Sequence, residues 1–231
     1  MIKTIKENLD IIREKINRAA EASGRRGEDI MLLAATKMVD ADRINEAVSL
    51  GVKNIGENKV QELTDKYDKV TTDATWHFIG HLQTNKVKYI IDKAQLIHSV
   101  ESERLLEEID RCAAKKGICA RVLIEINQSG EQSKFGIEPD EIWQILENNE
   151  KREHVKIEGL MTIGPNTTDE AEVTRVFREL NKLFLDIGQK KYNNSSMKYL
   201  SMGMSGDYEL AIREGSNVVR IGSAIFGRRN Y

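Results

Sequence analysis

The chain has 231 residues, a formal net charge of -2, two prolines and two cysteines. With 40% hydrophobic and 31% charged residues of nearly cancelling sign, it can form a core and is not a disordered chain. Cys112 and Cys119 are too few for a disulfide framework or a cysteine-rich zinc site, which points to a reducing, cytoplasmic setting. The slightly acidic balance argues against a nucleic-acid partner. The longest apolar run, from Ile30 to Ala35, is far short of the ~20 residues that cross a bilayer, so no membrane partner is expected. Lys3, Lys6, Glu7 and Asp10 break up the N-terminus, and no signal peptide is expected.

In chain order, Ile2, Ile5, Leu9, Ile12, Ile16 and Ala19 recur at steps of three and four. That stripe predicts an amphipathic helix over 1–24, ending at Ser23-Gly24. Short apolar runs then alternate with helical patterns. Strands are expected at 30–36, 52–56, 76–80, 96–100, 121–127, 157–163, 198–202 and 218–222. Every strand but the last is followed by a helical segment, most clearly 41–50, 102–116 and 169–187. The last of these is expected to open with a Thr167–Glu170 capping box and to stop at Gly188. Gly130–Phe135 reads as a loop. Eight strands with helical crossovers fit a (β/α)8 TIM-type barrel, typically about 250 residues, with a doubly wound open sheet as the alternative. No Pro/Gly/Ser-rich linker divides residues 1–231, so one domain is expected, with the 1–24 helix packed on the barrel.

In such a barrel, chemistry gathers at the C-terminal strand ends. Those ends hold Lys37, Glu57-Asn58, His81, Ser99, Asn127, Met161-Thr162, the segment Ser201 to Gly206, and Arg220 with Gly222-Ser223. Lys37 follows an apolar strand directly. Desolvation there disfavours the ammonium and suits an amine nucleophile; the plain alternative is a surface lysine opening a loop. Ser205, Gly222 and Ser223 lie after the last two strands, where barrels often bind phosphate, although Ser205 could serve only as a helix cap. Asn58 could likewise be a cap, with Gln61 three positions on. His77 and His81 fall on or beside a strand, so they form no helical metal pair, and no metal site is expected.

Taken together, several motifs are specific. Thr36-Lys37, Ile55-Gly-Glu-Asn58, Trp76-His-Phe-Ile-Gly-His-Leu-Gln83, His98-Ser-Val100, Gly159-Leu-Met161, Leu200-Ser-Met-Gly-Met-Ser205 and Val219-Arg-Ile-Gly-Ser-Ala-Ile-Phe-Gly227 resemble the pyridoxal phosphate homeostasis protein family. The resemblance runs from about residue 30 onward. It implies the N-terminal barrel of alanine racemase, a fold-type III pyridoxal 5'-phosphate (PLP) protein. It also implies that Lys37 carries PLP as a Schiff base and that Ser205, Gly222 and Ser223 bind its phosphate. Arg220 would face the pyridine nitrogen, with Asn58 near the ring and His81 one step removed. Two departures stand out. Ser223 replaces a more common threonine but keeps the hydroxyl, and Thr36-Lys37-Met38 replaces a Ser-Lys-Thr-Lys run, leaving one lysine.

A guanidinium stays protonated, so Arg220 can donate to a ring nitrogen without supplying a proton to it, which makes a weaker electron sink than an Asp partner. Alanine racemase takes its second acid/base from a further domain of the partner subunit, whereas this sequence runs to Tyr231, nine residues past Gly222. The expected function is therefore PLP and amino-acid homeostasis without efficient catalysis, by a monomer that could supply PLP-dependent apo-enzymes. The alternatives are a slow PLP-dependent amino-acid racemase or lyase and, more remotely, a sugar-phosphate isomerase using Glu57 and His81.

Overall fold

The computed structural model describes residues 3–131 and 133–227. Helix α1 (Ile5–Ala22) is opened by a reciprocal cap. Thr4 Oγ1 accepts from Glu7 N at 3.2 Å, while the Glu7 carboxylate accepts from Thr4 N at 2.8 Å, so two otherwise orphaned donors are satisfied. Its stripe from Ile5 to Ala19 is buried as expected; Ile2 lies outside the described residues. The buried face sits on later helices, with Asn8 Nδ2 donating to Ile225 O at 2.8 Å and Lys15 paired with Glu209 at 2.7 Å.

All eight predicted strands are present. They are β1 (Met31–Ala35), β2 (Asn54–Glu57), β3 (Thr75–Phe78), β4 (Leu96–Val100), β5 (Ala120–Glu125), β6 (Val155–Met161), β7 (Ser195–Met204) and β8 (Val218–Ile221). They pair in chain order, all parallel, and β8 returns to β1 to close the barrel. The crossovers carry α2 (Ala41–Ser49), α3 (Val60–Tyr67), α4 (Val87–Ile90), α5 (Glu103–Lys116), α6 (Ile142–Asn149), α7 (Glu170–Gly188) and α8 (Tyr208–Arg213).

Side chains alternate across each strand. On β1, Leu32 and Ala34 join the main core beneath the helices, while Met31, Leu33 and Ala35 join an inner cluster with Val218 and Tyr199. A second inner cluster joins Leu96, Leu123 and Met161. The lumen is thus a packed interior, as barrel geometry at eight strands requires, and its polar members are the exceptions that matter below.

Three expectations shift. Helix α7 is capped by Asp169, whose Oδ1 accepts from Ala171 N at 2.9 Å, while Thr167 Oγ1 takes Asp169 N at 3.1 Å. Thr167 stands two residues too early to reach the helix. Gly188 ends α7 inside the helix, with the chain continuing right-handed at Gln189. The last strand is also followed by a helix, the single turn α9 (Ser223–Phe226), which starts directly at Gly222. Among the described residues, no helix is long and apolar enough to cross a membrane.

Candidate functional site

Register brings the candidate residues together at the C-terminal end of the barrel. Ala35 is opposite Gly56 on one side of β1, and Leu33 and Ala34 are opposite Arg220 and Ile221 on the other. Lys37, two residues beyond Ala35, is therefore flanked by Asn58 two residues beyond Gly56 and by Gly222 just past Ile221.

The half-buried Lys37 stands between two pinned residues. Thr36 Oγ1 donates to Glu57 Oε1 at 2.7 Å, and Lys66 Nζ donates to Thr36 O at 3.1 Å. On the other side, Met38 N donates to Glu62 Oε2 at 2.7 Å. Lys66 completes the brace by pairing with Glu57 at 2.8 Å and Glu62 at 3.0 Å. Met38 adopts φ +60, a left-handed conformation that costs a non-glycine residue roughly 1–2 kcal/mol. Burial pushes the Glu57 carboxyl above its ordinary range despite Lys66 and Thr36. For Glu62, burial is outweighed by the Met38 amide and Lys66, which hold it below.

Asn58 is not a cap: Lys59 takes the N-cap position of α3. Instead, Asn58 packs against the turn after β3, where a Cβ on Gly80 would come within 2.3 Å of the Asn58 carbonyl oxygen. Its own Oδ1 is buried without a hydrogen-bond partner. A buried unsatisfied amide oxygen calls for a ligand or water.

Ser205 is not a cap for α8 either; Asp207 occupies that position. Ser205 Oγ accepts from the N–H groups of Gly222 and Ala224, both at 3.3 Å, which joins the turn after β7 to the first turn of α9. Gly222 sits tightly against β1, because a Cβ there would lie 3.0 Å from Ala35 O, closer than ordinary contact. Ser223 is exposed at the start of α9. Backbone N–H groups and hydroxyls of this kind suit a phosphate.

Arg220 is buried in the lumen, at 5% exposure. Its Nη1 donates to Ser201 O at 2.9 Å and Ser201 Oγ at 2.7 Å, and Nη2 donates to Thr162 O at 2.9 Å. Burial pulls its pKa down to about 10, against the pull of Glu125 and Asp207, so it remains a cation at neutral pH. Ser201 Oγ also meets His98 Nδ1 at 3.0 Å, His98 Nε2 meets His77 Nδ1 at 3.0 Å, and His77 Nε2 meets Asn54 Oδ1 at 3.2 Å. The sequence collected Ser201 at a strand end, but neither His77 nor His98 stood out as a functional group. Glu125, at the end of β5, was also missed. It is 4% exposed, and burial pushes its carboxyl up to about 7, with Arg220 opposing. His81 bonds Glu101 at 2.9 Å and stacks on Phe135. Glu57 faces Thr36 and Lys66, so no hydrogen bond joins Glu57 to His81 as an acid–base pair.

The family model described as alanine racemase, N-terminal domain, matches residues 7–230. The pyridoxal phosphate homeostasis protein of Aquifex aeolicus (strain VF5) is 43% identical over 97% of this chain and 98% of its own length. The chain belongs to the pyridoxal phosphate homeostasis protein family. That of Vibrio cholerae serotype O1 is 34% identical over 100% of this chain and 98% of its own. Among solved structures, PipY of Synechococcus elongatus PCC7942 with PLP bound is 30% identical at a TM-score of 0.84, covering 97% of this chain and 100% of PipY. The alanine racemase of Streptomyces coelicolor A3(2) shares the barrel fold at a TM-score of 0.69 and 17% identity, and only 59% of that chain is covered.

Proposed function

We propose that this homeostasis-family chain binds pyridoxal 5'-phosphate reversibly through Lys37 and serves intracellular vitamin B6 and amino-acid homeostasis as a carrier, not as an efficient catalyst. The observation that carries the proposal is the convergence at one seam of a lysine, an unsatisfied buried amide, a phosphate-type cradle and a buried guanidinium. PLP supplies an aldehyde that condenses with a primary amine and a ring that withdraws electrons. The residues present fit it: Lys37 offers the amine, held between the braced Thr36 and Met38. Ser205, Gly222 and Ser223 would hold the phosphate, and the orphaned Asn58 Oδ1 gains a neighbour beside the ring. Arg220 donates but yields no proton, which keeps a ring acceptor unprotonated and the electron sink weak.

Absorbance of the purified protein with added PLP tests this. A new band near the visible edge, lost in Lys37→Ala, is expected; a band that survives Lys37→Ala overturns the assignment. The proposed form is a cytoplasmic monomer, and PLP-dependent apo-enzymes are the proposed recipients. Reactivation of an apo-enzyme in the presence of a trap for free aldehyde measures direct transfer.

One observation favours a second reading, a slow racemase or lyase. Glu125 is a buried carboxyl whose pKa of about 7 suits general acid–base work. Amino-acid turnover at ~1–1000 per second would move the protein to that class. The carrier reading expects proton exchange at an added amino acid no faster than free PLP gives.

A further inference from the structure

The line running through the lumen has a defined direction. At one end, a guanidinium has donors only; at the other, the Asn54 amide oxygen can only accept. The acceptor end sets the order: His77 Nε2 must carry a hydrogen to meet Asn54 Oδ1 at 3.2 Å, which on a neutral ring leaves Nδ1 bare. His98 Nε2 must then carry the hydrogen that points at His77 Nδ1 at 3.0 Å, which leaves His98 Nδ1 bare. The Ser201 hydroxyl in turn donates its single hydrogen to His98 Nδ1 at 3.0 Å, while its oxygen accepts from Arg220 Nη1 at 2.7 Å. Each hydrogen bond has one donor and one acceptor, and neither ring has a second place to put a proton.

The rings come from β3 and β4, Ser201 from β7, Arg220 from β8 and Asn54 from β2. Three of Arg220's five N–H donors are committed to Ser201 and Thr162. We propose that His77 and His98 are positioning residues of the cofactor site: as neutral rings with hydrogen on Nε2, they fix the Ser201 hydroxyl and through it hold Arg220, so that the guanidinium keeps its two remaining N–H donors for a ring acceptor at the barrel mouth. This rests on the reading of Arg220 as the group that faces the PLP ring.

The surroundings agree. The charged groups acting on the rings are Arg121 from β5, beside His77, and Arg220, beside His98. The nearest counter-charges, Glu125 and Asp207, act on Arg220. Burial, with Arg121 adding, pushes His77 down to about 4; burial, His77 and Arg220 drive His98 well down. A proton on either ring would bring a second positive charge into a buried interior beside an arginine. The chain of dipoles therefore supports a cation without becoming one, and each bond polarises the next.

The first test needs no cofactor. Long-range ¹H–¹⁵N NMR of the ligand-free protein is expected to find hydrogen on Nε2 of both His77 and His98 throughout pH 5.5 to 8. Hydrogen on Nδ1 of either ring, or titration near the ordinary histidine value, overturns the proposal whatever the protein binds. The second test uses PLP binding read by absorbance. In His98→Leu the Ser201 hydroxyl loses its acceptor, and the PLP Kd is expected to rise roughly ten- to hundredfold, the worth of one charge-assisted hydrogen bond. His98→Asn, whose amide oxygen stands near the place of Nδ1, is expected to restore binding to within about threefold of the parent. Wild-type affinity and band position in His98→Leu would overturn the role. If that variant fails to fold by circular dichroism, Ser201→Ala, which removes one oxygen, decides in its place. If the unaltered protein fails to bind PLP, the proposed function falls, while the NMR result still judges the line.

Discussion

The two ends of the site rest on opposite kinds of support. Lys37 is held from outside the barrel by a charged brace, Glu57, Lys66 and Glu62, built between β2 and α3. Arg220 is held from inside by a neutral line, Ser201, His98 and His77. The difference follows from what each support must not do. Beside a lysine proposed to serve as an amine, nearby charge can be anchored to the backbone of Thr36 and Met38, away from the proposed working nitrogen. Around a cation already buried in the lumen, any further positive charge would be repelled, so only dipoles are tolerable.

The brace breaks more expensively. Lys66→Met leaves the fully buried Glu57 side chain without its cation, and removing one partner of a buried pair costs about 3–5 kcal/mol. Urea denaturation of this variant checks it, and adding Glu57→Gln is expected to recover most of the loss. A loss near zero would mean that Thr36 and water suffice for Glu57.

The next effect concerns pH. Glu125 has its folded pKa raised from 4.5 to about 7, so its contribution to stability is complete below pH 4.5 and fades as pH rises through 7. The change is worth about 3 kcal/mol. Glu125→Gln is therefore expected to gain about that much on the parent between pH 4.5 and pH 8, read from denaturation at both. The histidines run the other way: with His77 lowered to about 4, the stability it contributes is present above 6.5 and is lost as pH falls from 6.5 toward 4. The acid-side loss should thus be steeper in Glu125→Gln than in the parent, because the opposing slope is gone.

The smallest effect lies at Met38. Its side chain is 61% exposed and its φ is +60, so Met38→Gly relieves backbone strain and sacrifices little packing. A glycine loosens the unfolded chain as well, which offsets the gain. A net change under about 1 kcal/mol is expected in denaturation; a larger loss would mean that Met38 packs on the site.

Much of this is legible in the sequence. The eight strands announced themselves as apolar runs, because parallel strands buried on both faces read that way. Lys37, Asn58, Arg220 and Gly222 could be collected because strand ends are local features. The supports could not. His77 and His98 each look like a lone histidine inside an apolar strand, and only the packing of neighbouring strands makes them partners. Lys66 sits on α3 among exposed charges such as Lys59 and Asp65, with nothing local to mark it as the one that turns inward. Glu125 reads as an ordinary polar strand end, since its desolvation comes from the closed barrel. The cap of α7 was missed because Thr167, Thr168 and Asp169 are all competent and geometry chose the nearest.

The closure of β8 onto β1 bears on how the protein is made. Lys37 emerges early in synthesis, whereas Gly222, which abuts Ala35, is added some 185 residues later. The two halves of the site belong to the contact of longest sequence separation in the sheet, the kind that forms slowly in folding. A nascent chain therefore cannot assemble the proposed PLP site until its eighth strand is in place. From then on, any ligand spanning the seam works as a clasp, and its free concentration sets how firmly the ring stays shut.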